Sequence, residues 1–395
     1  MSEWREVRLI DIAEVNPKES LSKGVLASKI GMEYLKPFCK KPIDKVAELY
    51  NGGTKFRNGD TLVARITPCL ENGKTAFVDI LDDGEIGFGS TEYIVLRAKN
   101  NISDSHYVYY FSRSDLFREI AIASMTGSSG RQRVQIDVVK NHLFELPDIF
   151  EQKAIASVLA SLDNKIDLLH RQNKTLESMA ETLFRQWFVE EAQNDWEEKT
   201  LADFGKVVCG KTPSKKKSEY YGNDIPFLKI PDMHGRVFIS STEDNLSLLG
   251  AESQLNKLLP EGSLCVSCIA TVGLVCITSK PMQTNQQINS IIPKSSKYLY
   301  FLFLLMKSIN DELHSLASGG TTTLNLNTGN FSKIKICVPP KEDIFSFNQS
   351  VYDFFEKIKS NTNQIQTLEK LRDTLLPKLM SGEVRVNYTT EEIKQ

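Results

Sequence analysis

Long apolar runs are missing from this 395-residue chain. The most lipid-like stretch, Tyr298 to Met306, is about half of what a membrane-spanning helix needs. The opening residues, MSEWREVRLIDIAEV, are charged and lack the apolar core of a secretion signal, so a cytoplasmic protein is expected. Cysteines are few, seven in all, and show no regular spacing; a disulfide framework is excluded and a reducing compartment fits. Cys265-Val-Ser-Cys268, with Cys276 nearby, has no second Cys or Cys/His pair at ligand spacing, so no metal is expected. The five histidines are scattered, and no Gly-x-x-x-x-Gly-Lys-Ser/Thr phosphate loop is present. Charge of one sign is also lacking: the net value of −2 argues neither for nor against a nucleic-acid partner. The 41% hydrophobic and 25% charged residues are those of an ordinary globular protein, and the length allows two or three domains.

What is present begins with Glu151 to Phe188. This segment has no Pro or Gly, and its apolar residues recur every three and four positions. Ile155, Leu162, Leu169, Leu176 and Leu183 form one series; Leu159, Ile166, Ala180 and Trp187 form the other. A helix of this length runs about 57 Å at roughly 1.5 Å per residue and needs a partner helix to cover its stripe. Asn173 interrupts the stripe at an a-type position. There a buried amide costs stability while fixing register, so Leu is expected to be the more stable residue.

The second half of the chain replays the first. Trp196 follows Trp4, Val338 follows Leu146 and Leu368 follows Leu176 by the same 192 residues, which marks a tandem duplication of a whole module. The polar loop Thr126-Gly-Ser-Ser-Gly-Arg-Gln-Arg133 matches Ser318-Gly-Gly-Thr-Thr-Thr-Leu-Asn325, and the Gly59 strand matches Leu259 to Ile269. Tyr107 to Ile122 reads as one amphipathic helix, matched at its start by Tyr298 to Phe301. The long helix returns as Gln349 to Met380, with Val351, Ile358, Ile365 and Leu379 on one series and Phe354, Leu368 and Leu375 on the other. Asn361 and Arg372 interrupt it. The two helices can bury their seams on each other, and a pseudo-twofold internal repeat favours an antiparallel pair. The similarity fades in the middle of each globular part, as expected if the copies share a frame and read different targets.

The chain resembles the specificity subunit of type I restriction–modification systems over nearly its full length. The residues that carry the resemblance are the Leu146-Pro-Asp-Ile-Phe-Glu-Gln-Lys-Ala-Ile-Ala156 approach and Leu168 to Phe188. Gly59-Asp60 with Arg65-Ile-Thr-Pro-Cys-Leu-Glu-Asn-Gly-Lys74, and Gly127 to Arg133, belong with them. In the second half, Gly210-Lys-Thr-Pro-Ser214 followed by Tyr220 to Lys229 resembles the family's Gly-x-Thr-Pro-Ser opening. The second helix departs from the pattern: Pro339-Pro340 and Asn348-Gln349 stand for the usual Pro-Pro-x-x-Glu-Gln, leaving that helix start open by a few residues.

The resemblance implies an α+β protein. Two tandem α/β target recognition domains, 1–148 and 191–340, are separated by two long antiparallel, coiled-coil-like spacer helices, 149–190 and 341–384, and a tail spans 385–395. It further implies a non-catalytic subunit whose domains each bind half of a split, asymmetric sequence in double-stranded DNA. The helices set the gap and dock two methyltransferase subunits. S-adenosylmethionine, ATP and Mg are expected in those and in the restriction subunits, with no cofactor in this chain.

Two alternatives are a self-contained DNA-modifying enzyme and a protein-interaction scaffold. The first lacks its motifs: Asn16-Pro17 continues into Lys18-Glu19 rather than Pro-aromatic. Asp148, Glu151 and Lys153 resemble a nuclease set but fall in the first turn of a helix, where acidic residues are favoured anyway. For DNA contacts, loop-borne cations suit guanine edges and phosphates, and amides suit adenine. The first-domain candidates are Arg65, Lys74, Arg131, Gln132 and Arg133. In the second they are Lys211, Thr212, Lys215, Lys216, Gln286, Gln287, Thr321, Thr322 and Asn325, with the Lys215 to Lys217 run suited to phosphates.

Overall fold

The structure, a computed structural model, describes residues 3–193, 195–318 and 324–387. Its first half holds strands β1 (Arg5–Arg8), β2 (Ala13–Val15), β3 (Leu26–Ile30), β4 (Val46–Leu49), β5 (Thr54–Phe56), β6 (Thr61–Ala64), β7 (Thr75–Phe77), β8 (Gly87–Gly89), β9 (Tyr93–Ala98) and β10 (Leu143–Leu146). Helices α1 (Leu9–Ile12), α2 (Ser105–Arg113), α3 (Asp115–Ala123) and α4 (Ile136–Asn141) lie among them, and the long α5 (Ile149–Arg185) follows. The second half holds β11 (Glu197–Thr200), β12 (Gly205–Cys209), β13 (Tyr221–Leu228), β14 (Phe238–Ile239), β15 (Asn245–Leu246), β16 (Leu264–Ile269), β17 (Thr271–Thr278), β18 (Gln283–Thr284), β19 (Ile288–Pro293) and β20 (Lys335–Val338). Its helices are α6 (Ile230–Met233), α7 (Leu248–Glu252), α8 (Leu299–Ser308), α9 (Asn310–Ala317), α10 (Thr328–Ser332) and the long α11 (Lys341–Met380).

Two compact units result. One comprises residues 1–167 and 367–395, the other 168–366, so the division falls inside both long helices. Each unit repeats one strand scheme. The first has a β2-β9-β6-β7 sheet, and the second a β12-β19-β16-β17-β14 sheet. Beside these, β3 runs parallel to β8 and antiparallel to β4, as β13 runs parallel to β18 and antiparallel to β15. The strand pair β1–β10 is matched by β11–β20. In the second unit α8 is apolar on every side, and all of Leu299 to Met306 is buried. In the first unit the expected single helix over Tyr107 to Ile122 is two helices. Ser114 takes an extended conformation (φ −70°, ψ 157°) and restarts the chain as α3.

The long helices bury a line that drifts from the strict heptad. On α5 it runs through Ile155, Leu159, Asp163, Ile166, Leu169, Ala180 and Phe184; on α11 through Ile344, Phe347, Val351, Phe355, Ile358, Asn361, Ile365, Arg372, Leu376 and Leu379. Leu162, Leu176, Leu183, Phe354, Leu368 and Leu375, also placed on the seam from sequence, are half-buried. The cause is geometric: a straight helix turns every 3.6 residues and walks away from a 3.5-residue repeat by about 20° per heptad.

Both polar interruptions of α11 have partners. In the second unit the Asn361 amide donates to Gln172 Oε1 at 2.9 Å and to Asn173 Oδ1 at 2.8 Å. In the first, Arg372 donates to Asp163 Oδ1 at 2.7 Å, and Tyr110 donates to Asp163 Oδ2 at 2.6 Å. The expectation that Leu at Asn173 is more stable is therefore corrected, because that amide satisfies a buried one. Within the first unit α5 and α11 run antiparallel, Ile155 and Leu159 sharing a core with Leu376, Leu379 and Met380 while Asp163 meets Arg372; within the second, Asn173 meets Asn361 and Phe184 meets Phe347.

Candidate nucleic-acid interface

In the first unit the polar loop after α3 is stitched to the end of β6. Thr126 and Arg133 exchange backbone hydrogen bonds at 3.1 and 2.9 Å, Val134 N donates to Arg65 O at 2.9 Å, and Thr67 N to Gln132 O at 3.0 Å. The loop can turn because Gly127 and Gly130 adopt positive φ of 129° and 76°, a region costly for side-chain-bearing residues. Arg65, Gln132 and Arg133 are thereby brought to one rim, with Arg131 exposed on the loop just after Gly130. Lys74 is the cross-strand neighbour of Ala64, whose N donates to Lys74 O at 3.1 Å, and its ammonium donates to Met32 O at 2.9 Å.

Glu92 completes this rim, and a search for cations and amides misses it. Arg133 Nη2 lies 2.6 Å from Glu92 Oε1, with Nε also donating. The hydrogen bond from Arg133 lowers the Glu92 pKa; burial opposes this, and the charges of Arg133 and Arg65 add to it. Arg65 N also donates to Glu92 O at 2.9 Å. An ionised carboxylate here aims Arg133 in a fixed fork and is itself an acceptor suited to the cytosine amino group. The signal available in sequence was its position just before β9, in register with the end of β6.

The second unit builds the same lattice from other side chains. Leu326 N donates to Cys268 O at 2.8 Å where Val134 donates to Arg65, and Cys268 N donates to Gln287 O at 2.8 Å where Arg65 donates to Glu92. Asn325 pairs with Ile269 as Arg133 pairs with Ile66. Lys211 N donates to Thr284 O at 2.9 Å, and Thr212 donates to Gln286 Oε1 at 2.6 Å. Gly210 permits this approach, since a Cβ there would lie 2.1 Å from Asn285 O. Asn285 holds Gln287 through both its amide nitrogen (3.0 Å) and its oxygen (3.0 Å), a second residue the sequence search passed over. Lys211, Thr212, Gln286, Gln287 and Asn325 thus converge. Lys215 and Lys216 are exposed in the turn before β13, while Thr321 and Thr322 lie outside the described residues.

Other sequence candidates have structural explanations. Asp148 accepts from the backbone of Phe150 (3.1 Å) and Glu151 (3.0 Å), capping α5, and Glu151 is paired with Arg385. Cys265 and Cys276 are cross-strand neighbours in the core, and burial pushes the Cys268 thiol up to about 11. Among the described residues no helix is long and apolar enough to cross a membrane.

The type I restriction modification DNA specificity domain matches residues 1–178 and again 193–373. The chain is 35% identical to the HindI type I restriction enzyme specificity subunit of Haemophilus influenzae, over 97% of this chain and all of that one. It is 28% identical to the MjaIX specificity subunit of Methanocaldococcus jannaschii, over 71% of this chain and 69% of that one. The solved S subunit of a type I system from M. genitalium shares the fold, with a TM-score of 0.57 at 16% identity over 98% of this chain and 97% of that one. With two copies of the domain and full-length similarity to a specificity subunit, the chain belongs to the type I restriction–modification DNA specificity family and is a DNA target-recognition subunit.

Proposed function

We propose that each unit reads one half of a bipartite, asymmetric site in duplex DNA, the first unit through the Arg65–Glu92–Arg133 rim and the second through the Lys211–Gln287–Asn325 rim. The observation that carries this is the shared backbone lattice with exchanged side chains. An arginine–glutamate–arginine set and a lysine–amide set on equivalent frames suit different base edges. The long helices α5 and α11 then act as coiled-coil-like spacers that hold the half-sites a fixed number of base pairs apart and dock two methyltransferase subunits. Restriction subunits join them. S-adenosylmethionine, ATP and Mg belong to those partners, and the chain itself contributes recognition without catalysis.

Methylome sequencing of a cell expressing this chain with its methyltransferase tests the reading. A split motif with unlike halves is expected; a single uninterrupted motif overturns it. Deleting one heptad from both helices should shorten the gap and leave each half unchanged. An unaltered gap removes the spacer role.

A further inference from the structure

Beyond the ends of the long helices, the 192-residue offset brings two pockets into correspondence. In the first unit the segment after α11 folds back onto the start of the chain. The Arg385 guanidinium lies over the Trp4 ring, its Cζ 5.5 Å from the centroid. It makes a forked ion pair with Glu151, Nη2 to Oε2 at 2.5 Å and Nε to Oε1. The Glu151 carboxyl is 0% exposed, and a bidentate cation is what makes such burial tolerable. Leu379 and Met380 pack beneath.

At the same offset the second unit carries Trp196 for Trp4, Asp343 for Glu151, and Trp187 and Phe188 for Leu379 and Met380. These four, with Glu191, Gln193 and Pro339, line a cavity of about 290 Å³. Phe188 meets Trp196 at 6.2 Å, edge to face, and Trp187 at 6.2 Å. The position of Arg385 is occupied by the neutral Gln193. The aromatic wall and the carboxylate are kept, the aromatic surface is enlarged, and Glu191 and Asp343 stand exposed at the rim.

We propose that this cavity receives a guanidinium group, the side chain of an arginine presented by a partner protein of the complex. Arginine suits the site better than lysine because its planar cation stacks on indole and forks onto a carboxylate, as Arg385 does in the first unit. A partner protein suits it better than a free cation, since exposed carboxylates and one aromatic wall bind a lone guanidinium only weakly. Delivery from a neighbouring contact raises its effective concentration. The identity of the occupant as a partner rests on the assembly reading above; the guanidinium chemistry does not.

The test uses the full chain labelled with 5-fluorotryptophan, its three tryptophans assigned by Trp→Phe variants. Titrated with Nα-acetyl-arginine amide, the Trp187 and Trp196 resonances should move at millimolar concentration while that of Trp4 stays. Asp343→Asn should weaken binding about three- to fivefold. Gln193→Arg should abolish it by filling the pocket from within. Equal shifts with the neutral Nα-acetyl-citrulline amide, or undiminished binding by Gln193→Arg, overturn the guanidinium site. In the complex reconstituted with methyltransferase subunits, Gln193→Arg should lower assembly affinity at least about threefold, and unchanged assembly overturns the partner. A wild-type chain that fails to assemble counts against the functional reading, while the titration still decides the pocket.

Discussion

Replacing Arg372 by Met puts the polar contact between α5 and α11 in the first unit to a quantitative test. Arg372 and Asp163 are 7% and 5% exposed and 2.7 Å apart. Burial works against the Arg372 charge, but the hydrogen bond to Asp373 and the charge and hydrogen bond of Asp163 prevail and raise its pKa above the ordinary value. Removing one member of a buried pair costs about 3–5 kcal/mol because the other charge stays buried without its counter-ion. Here Asp163 keeps the 2.6 Å bond from Tyr110, and Asp373, 52% exposed, keeps Arg113 and water. The lower end, about 3 kcal/mol, is therefore expected for Arg372→Met. Adding Asp163→Asn to that variant should recover about 1–2 kcal/mol, since a buried amide is less costly than an unpaired carboxylate. The assay is urea unfolding in a Trp187→Phe, Trp196→Phe background, where Trp4, packed in the first unit, is the sole tryptophan and is excited selectively. A loss below about 1 kcal/mol, or a further loss on adding Asp163→Asn, refutes the reasoning.

Other perturbations follow from the same contacts. Asn173→Leu should destabilise the second unit by about 1 kcal/mol by leaving part of the buried Asn361 amide unmatched, whereas Asn173→Leu with Asn361→Leu should be near neutral; thermal unfolding of both variants decides it. Burial would raise the Glu85 pKa, but hydrogen bonds from Ser28 and the Asp82 backbone, with the charge of Lys45, bring it down to about 2 from 4.5. The stability it adds is complete above about pH 4.5 and is lost as pH falls toward 2. Solvent screening limits it to on the order of 1 kcal/mol. Glu85→Gln should be less stable than wild type at pH 7 and equal to it near pH 2 in denaturant titrations at each pH. Arg131→Ala with Arg133→Ala should weaken DNA binding by the reconstituted complex and flatten its salt dependence by up to about two phosphate contacts, with the circular dichroism spectrum unchanged. Unchanged binding removes the loop from the interface.

The chain's amino-acid order by itself determined the duplication, the two long helices and the placement of most candidate side chains on loops. Apolar periodicity and a repeated offset are local properties, legible without any knowledge of what packs where. Tertiary structure decided the rest. It set which residues of the helices are buried, because a 3.6-residue turn carries the contact line from Leu162 to Asp163 and from Leu183 to Phe184. It also turned Asn361 and Arg372 from apparent defects into partners of Asn173 and Asp163, residues nearly two hundred or more positions away. It tied the Lys74 ammonium to Met32 and drew Glu92 beside Arg133. A hydrogen bond or ion pair between distant residues depends on where strand ends and helix faces meet in space, and no spacing along the chain encodes that meeting.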